Sequence, residues 1–219
     1  MTSFCSYQKC PVDTVDLYNF TFYNVAMRIA DYLSLARIVF SPVFVCAYFI
    51  FAAQNNFLGF CVLIVLLAAA EFTDYLDGYA ARKLKQVSEL GKLLDPFCDT
   101  LLHLSIFFCF TVTNRMFPIF FILVMYREFA MLFIRMICLK NGIAIAARAG
   151  GKIKTVLYII VSFVTLLIDI YNSSGASFIP DIKVCVLIQT ILFVLGLAAS
   201  YISFVDYLIH FKSALKKID

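Results

Sequence analysis

Six stretches of this sequence are too apolar to be left in water and too long for ordinary strands. They run over about 32–53, 57–77, 92–113, 116–139, 153–170 and 181–207, close to the roughly 20 residues a helix needs to cross a bilayer. Inside hydrocarbon every backbone amide must be satisfied by the protein itself, which leaves helices or closed barrels. Long runs without period-2 alternation select helices. The chain is 63% hydrophobic with a mean hydropathy of +0.93, whereas a soluble domain is about 45–50% apolar. The expected fold is an all-α integral membrane protein, with six transmembrane helices preceded by a short amphipathic N-terminal segment.

Residues 1–20 contain Lys9, Pro11, Asp13 and Asp16 but no apolar core, so no cleaved signal peptide is expected. Residues 17–31 mix Leu, Tyr, Phe and Val with Asn19, Asn24, Arg28 and Asp31, as a surface-lying amphipathic segment would. The chain thus divides into a juxtamembrane segment 1–31, a membrane domain 32–210 and a basic tail 211–219. Lys and Arg are scarce after the first, third and fifth spans, where only Arg115 and Lys183 occur. They gather after the second (Arg82, Lys83, Lys85, Lys92) and fourth (Lys140, Arg148, Lys152, Lys154), and in the tail (Lys212, Lys216, Lys217). By the positive-inside rule, both termini and the loops after spans two and four face the cytoplasm of a multi-pass protein.

The second span carries the first functional signal. Its purely apolar part, 57–70, is only 14 residues, so the helix must continue through Glu71, Asp74 and Asp77 to be long enough. Asp95 and Asp99 fall in the first turns of the third span, at a similar depth. Asp74 and Asp77 are spaced i, i+3, and Asp95 and Asp99 i, i+4, so each pair projects from one helix face. Facing each other, they offer four hard oxygen donors, as Mg²⁺ or Mn²⁺ requires. Gly78 and Gly91 leave room for close approach beside them. Solvated helix-end aspartates are the plain alternative, but ionisable groups at membrane depth are costly and are functional by default.

In full the stretch follows D-x2-D-G-x2-A-R-x8-G-x3-D-x3-D without a gap, and it resembles the signature of the CDP-alcohol phosphotransferases. The resemblance implies a six-helix fold, a homodimer and a two-metal centre held by Asp74, Asp77, Asp95 and Asp99. Asp99 would also serve as base, and Asp74, Asp77, Gly78, Ala81, Arg82, Gly91 and Asp95 would hold the CDP-lipid. Arg82 suits bidentate diphosphate contacts. In the implied reaction an acceptor hydroxyl attacks the β-phosphorus of a CDP-linked lipid and CMP leaves.

A second basic set, Arg127, Arg135, Arg148, Lys152 and Lys154, suits an acceptor that is itself a phosphate, such as glycerol 3-phosphate. Arg148, Lys152 and Lys154 also fit the role of positive-inside anchors, whereas Arg127 and Arg135 interrupt an apolar helix. Arg127 and Arg135 are two turns apart and share a face, but Arg127 and Glu128, being adjacent, do not. Arg127-Glu128-Phe129, Arg135, Gly142 and Gly151-Lys152-Ile153-Lys154-Thr155 are similar to a conserved region of bacterial phosphatidylglycerophosphate synthases. So is Ser34 three residues before Arg37, followed by Pro42, which adds Ser34 and Arg37 as site candidates; a snorkelling interfacial Arg37 is the alternative. The sequence departs from those enzymes at Thr100, where they carry Lys, and at Arg28, where they carry Asn. The resemblance implies CDP-diacylglycerol and glycerol 3-phosphate as substrates in a bacterial cytoplasmic membrane, with inositol phosphate, inositol, serine or choline as other family acceptors.

Other classes are disfavoured. Basic residues sit at span ends rather than on one exposed face, so no nucleic-acid partner is expected. The eight cysteines are scattered, mostly in apolar runs, and read as small buried hydrophobes. His103 is expected to meet a ligand or a backbone or carboxylate partner, and Asp169 and Asp206 to be interfacial or interhelical groups. A cation transporter would distribute polar residues along a path across the membrane; here they cluster at the cytoplasmic end, with nothing comparable in the outer halves of spans two to six.

Overall fold

The computed structural model describes residues 29–83, 91–140, 149–174 and 182–215; the amphipathic segment expected over 17–31 lies almost wholly outside them. All regular structure among them is helical: α1 (Ile29–Ala53), α2 (Phe57–Lys83), α3 (Gly91–Val112), α4 (Pro118–Lys140), α5 (Ala149–Ser173) and α6 (Ile182–Leu215). α2 does continue past the apolar run, through Glu71, Asp74 and Asp77 to Lys83. Four helices contain stretches long and apolar enough to cross a membrane, Leu35–Ala53, Leu94–Val112, Gly151–Ser173 and Lys183–Ile209, and Phe57–Thr73 is a shorter apolar one. α4 falls short of that composition because Arg127, Glu128 and Arg135 interrupt it. The chain is an integral membrane protein.

Local sequence sets the helix ends away from the aspartates. Asn55 takes a left-handed φ of 46°, and the Asn56 amide returns to the Phe51 carbonyl (3.1 Å). The Asn56 side chain then accepts from the Gly59 amide (3.2 Å), capping the start of α2. At the end of α3, Asn114 is left-handed (φ 59°) and the Arg115 amide donates to the Phe110 carbonyl (2.7 Å), an Asn version of the usual glycine stop. Pro118 opens α4, where its missing N–H is no loss.

Among the described residues the helices pack as a ring in the order α1–α2–α5–α6–α4–α3, closed by α3 against α1 and pinched where α3 meets α5. The interior is aromatic: Tyr48 lies edge-on to Phe110 (5.8 Å between centroids), and Phe107 to Tyr158 (5.1 Å) and Phe193 (5.8 Å). Outward faces carry exposed Val39, Ile50, Leu58, Val65, Phe133 and Ile202, the reverse of a soluble surface. Lipid is as apolar as these side chains, so helix association relies on close packing and polar contacts. Gly59 is one such close approach: a Cβ there would sit 2.3 Å from the Phe51 ring.

The structure corrects one expectation about polarity. The end of the bundle opposite the aspartates is not bare. Asp169 on α5, 1% exposed, accepts from Arg115 Nε at 2.7 Å and from the Tyr48 hydroxyl at 3.3 Å. Tyr48 is also 3.1 Å from Thr113 Oγ1. These contacts bind α1, the α3–α4 turn and α5, so Asp169 is interhelical; the partners come from three segments distant in sequence, which is why the charge pattern missed them. Nearer mid-bundle, Gln189 donates to Thr165 (3.0 Å). Cysteines 46, 61, 98, 109, 138 and 185 are all free; Cys46 is exposed rather than buried.

Two substitutions test this packing, both read by unfolding in mixed detergent. Gly59→Ala is expected to cost about 1–3 kcal/mol through overpacking against Phe51. Asp169→Asn, which removes the carboxylate between Arg115 and Tyr48, is expected to cost about 1–3 kcal/mol.

Candidate active site

Arg37 is not a snorkelling residue. It is 3% exposed, and its guanidinium Nη1 forms an ion pair with Asp99 Oδ1 across the α1–α3 contact. Ser41 donates to the Arg37 carbonyl (2.9 Å), tying the helix one turn on. The Asp99 side chain remains 39% exposed beside this pair. Asp95, one turn earlier on α3, is exposed. The side chain of Ser34 lies outside the described residues.

His103, one turn after Asp99, has the backbone and carboxylate surroundings of a core histidine. Nδ1 is 2.8 Å from the Asp99 carbonyl, and Nε2 is 3.7 Å from Glu71 Oε1 on α2. The approach of these two atoms shows that Glu71 and His103 lie at a similar depth on α2 and α3. Asp74 and Asp77 lie about 4.5 and 9 Å further along α2, and Asp99 and Asp95 about 6 and 12 Å back along α3, toward the same end. The backbone therefore carries the four aspartates at comparable levels. The signature residues Asp74, Asp77, Gly78, Ala81 and Arg82 all lie in the last turns of α2, and Gly91 opens α3; their side chains are outside the described ones. Among the described residues no three His, Cys, Asp or Glu side chains converge. Asp95 and Asp99 are hard carboxylate donors of the kind that suits Mg²⁺ or Mn²⁺.

Two members of the second basic set, Arg127 and Lys154, are drawn together around Glu128, a residue that sequence reasoning had set apart. Arg127 and Glu128, adjacent and expected on different faces, pair directly (Arg127 Nη1 to Glu128 Oε1, 2.9 Å), and both are buried. Both side chains are long enough to curl into the cleft between α4, α5 and α6. Lys154 Nζ donates to both Glu128 oxygens (2.9 and 3.0 Å) and lies 5.1 Å over the Tyr158 ring. Arg127 Nε donates to the Ser200 carbonyl (3.0 Å). The Tyr158 hydroxyl sits 3.3 Å from Glu128 Oε1 and 2.9 Å from Ser200 Oγ. Arg135 is half-buried two turns further along α4, Lys152 is exposed at the start of α5, and Arg148 lies outside the described residues.

The Glu128 cluster lies against His103, the neighbour of Asp99 on α3. His103 and Tyr158 have ring centroids 5.8 Å apart, so the aspartate side and the cation side meet at the α3–α5 pinch of the ring. Tyr158 and Ser200 were not legible as site residues, because single hydroxyls in apolar helices are common. Glu128 was visible, but its neighbour Arg127 absorbed the signal. The Arg37–Asp99 pair yields a stability test: Arg37→Met is expected to cost about 1–2 kcal/mol, discounted for the exposure of Asp99. Arg37→Met with Asp99→Asn is expected to recover most of that loss in the same unfolding measurement.

The sequence model of the CDP-alcohol phosphatidyltransferases matches residues 27–202. A CDP-diacylglycerol–glycerol-3-phosphate 3-phosphatidyltransferase of Treponema pallidum is 31% identical over 200 residues, 90% of each chain. One of the same name from Aquifex aeolicus is 28% identical over 83% of this chain and 94% of its own. Another from Bacillus subtilis is 39% identical over 47% of this chain and 53% of its own. On the signature carried by α2 and α3 and the match across nearly the whole bundle, the chain belongs to the CDP-alcohol phosphatidyltransferase family.

Proposed function

We propose that this protein transfers the phosphatidyl group of CDP-diacylglycerol to glycerol 3-phosphate, giving phosphatidylglycerophosphate and CMP. The single observation that carries this is the unbroken signature over the end of α2 and the start of α3, in a chain whose relatives bear that activity in their names. A cluster of cations beside it matches an acceptor that is itself a phosphate.

Asp74, Asp77, Asp95 and Asp99 would hold two divalent cations, Mg²⁺ or Mn²⁺. When bound these neutralise charge on the diphosphate and polarise the phosphorus. Gly78, Ala81 and Gly91 leave space for the cytidine diphosphate, and Arg82 pairs with a phosphate oxygen. The acceptor's hydroxyl oxygen forms a bond to the β-phosphorus, the bond from that phosphorus to the bridging oxygen of CMP breaks, and CMP carries off the electron pair. Asp99 takes the hydroxyl proton, with Arg37 fixing which of its oxygens faces the substrate. Arg135, Arg148, Lys152 and Lys154 receive the acceptor's phosphate, with Arg127 behind them.

All six helices are taken to cross the bilayer, with both termini and the site on the cytoplasmic face. The basic loops after α2 and α4 support that orientation. The exposed apolar faces would be covered by membrane lipid and a second copy of the chain in a homodimer.

The direct test is CMP release by purified protein in mixed micelles of CDP-diacylglycerol. Release is expected with glycerol 3-phosphate and not with inositol phosphate, inositol, serine or choline. It should vanish on chelation, return with Mg²⁺ or Mn²⁺, and fall at least about a hundredfold in Asp99→Asn, the usual scale for a lost general base. Release with a different acceptor alone would retain the family chemistry and overturn the glycerol 3-phosphate assignment.

A further inference from the structure

Of the two cations on Glu128, only one is placed to meet a substrate. The Arg127 side chain is 2% exposed and that of Glu128 5%, whereas that of Lys154 is 16% exposed. Arg127 spends its donors inward, on the Ser200 carbonyl and Glu128, and stacks 5.9 Å from the Phe204 ring. Glu128 in turn holds Lys154 through both carboxylate oxygens, and the Tyr158 ring closes over the ammonium. Charge thus alternates from the interior outward: guanidinium, carboxylate, ammonium.

We propose that Glu128 is a positioning residue for the acceptor, holding Lys154 where the acceptor's phosphate arrives, and that Arg127 supports Glu128 rather than contacting substrate. This role rests on the acceptor assignment above. A lysine on a flexible four-carbon stem otherwise loses rotamer freedom on capturing an anion. Held in advance by a carboxylate that is itself pinned, it loses much less. The chain Arg127–Glu128–Lys154 keeps a net positive charge, so an incoming phosphate is still attracted. Glu128 also anchors the far side of Tyr158, whose ring meets His103 next to Asp99, so the ammonium is positioned relative to the aspartate cluster as well as to its own helix.

The test is steady-state kinetics of the full-length protein with CDP-diacylglycerol and glycerol 3-phosphate varied separately. Glu128→Gln is expected to raise KM for glycerol 3-phosphate about tenfold, with KM for CDP-diacylglycerol and kcat changed by less than about twofold, the signature of lost acceptor binding alone. Lys154→Gln should raise the acceptor KM at least as much, and the double variant Glu128→Gln/Lys154→Gln should be no worse than Lys154→Gln, because Glu128 acts through Lys154. Should Glu128→Gln not fold, Arg127→Met/Glu128→Gln is read in its place, since it leaves no buried guanidinium without its carboxylate. An unchanged acceptor KM in Lys154→Gln would overturn the acceptor site itself. A raised KM in Lys154→Gln beside an unchanged or lowered one in Glu128→Gln would leave that site standing and overturn the positioning role. So would additive effects in the double variant, or a rise in both KM values with Glu128→Gln.

Discussion

A charge inside an apolar bundle must be met by an opposite charge or a hydrogen bond, because neither lipid nor packed side chains solvate it. That requirement decides which parts of this chain sit next to one another. Arg37 and Asp99 join α1 to α3, Glu128 and Lys154 join α4 to α5, and Arg115 and Asp169 tie the α3–α4 turn to α5. Apolar contact between helices is barely better than contact with lipid, so these few pairs, with the interlocked aromatic rings between them, specify the ring order far more than the many aliphatic residues do.

The pairs also divide by what they leave open. Asp169 is fully enclosed, and its contacts serve to hold the far end of the bundle. Asp99, held by Arg37, keeps 39% of its side chain exposed, and Lys154, held by Glu128, keeps 16%. Both lie toward the same end of the bundle, each fixed by a partner from another helix. His103 and Tyr158 form the wall between them.

Most of the architecture was legible in the residues themselves. The apolar runs marked all six helices to within a few positions at most ends, since run length and the cost of an unsatisfied backbone in lipid leave little choice. The 14-residue run before Glu71 required the helix to continue through Asp74 and Asp77, and it does so. Partner choice was not legible. Arg37 could equally have snorkelled, Glu128 was assigned a face away from Arg127, and Asp169 showed no tie to Arg115, 54 residues away.

The sequence by itself determined the helices, their apolar outer faces and the aspartate signature, because each depends on spacing along a single segment. Only the tertiary structure decided that Arg37 grips Asp99, that Arg127 lies behind Glu128 rather than at the surface, and that Lys154 is the accessible end of that chain. Helical periodicity states the direction in which a side chain leaves its own helix. It does not state the depth and rotation of the helix opposite, and for a charge in an apolar bundle those two quantities choose the partner.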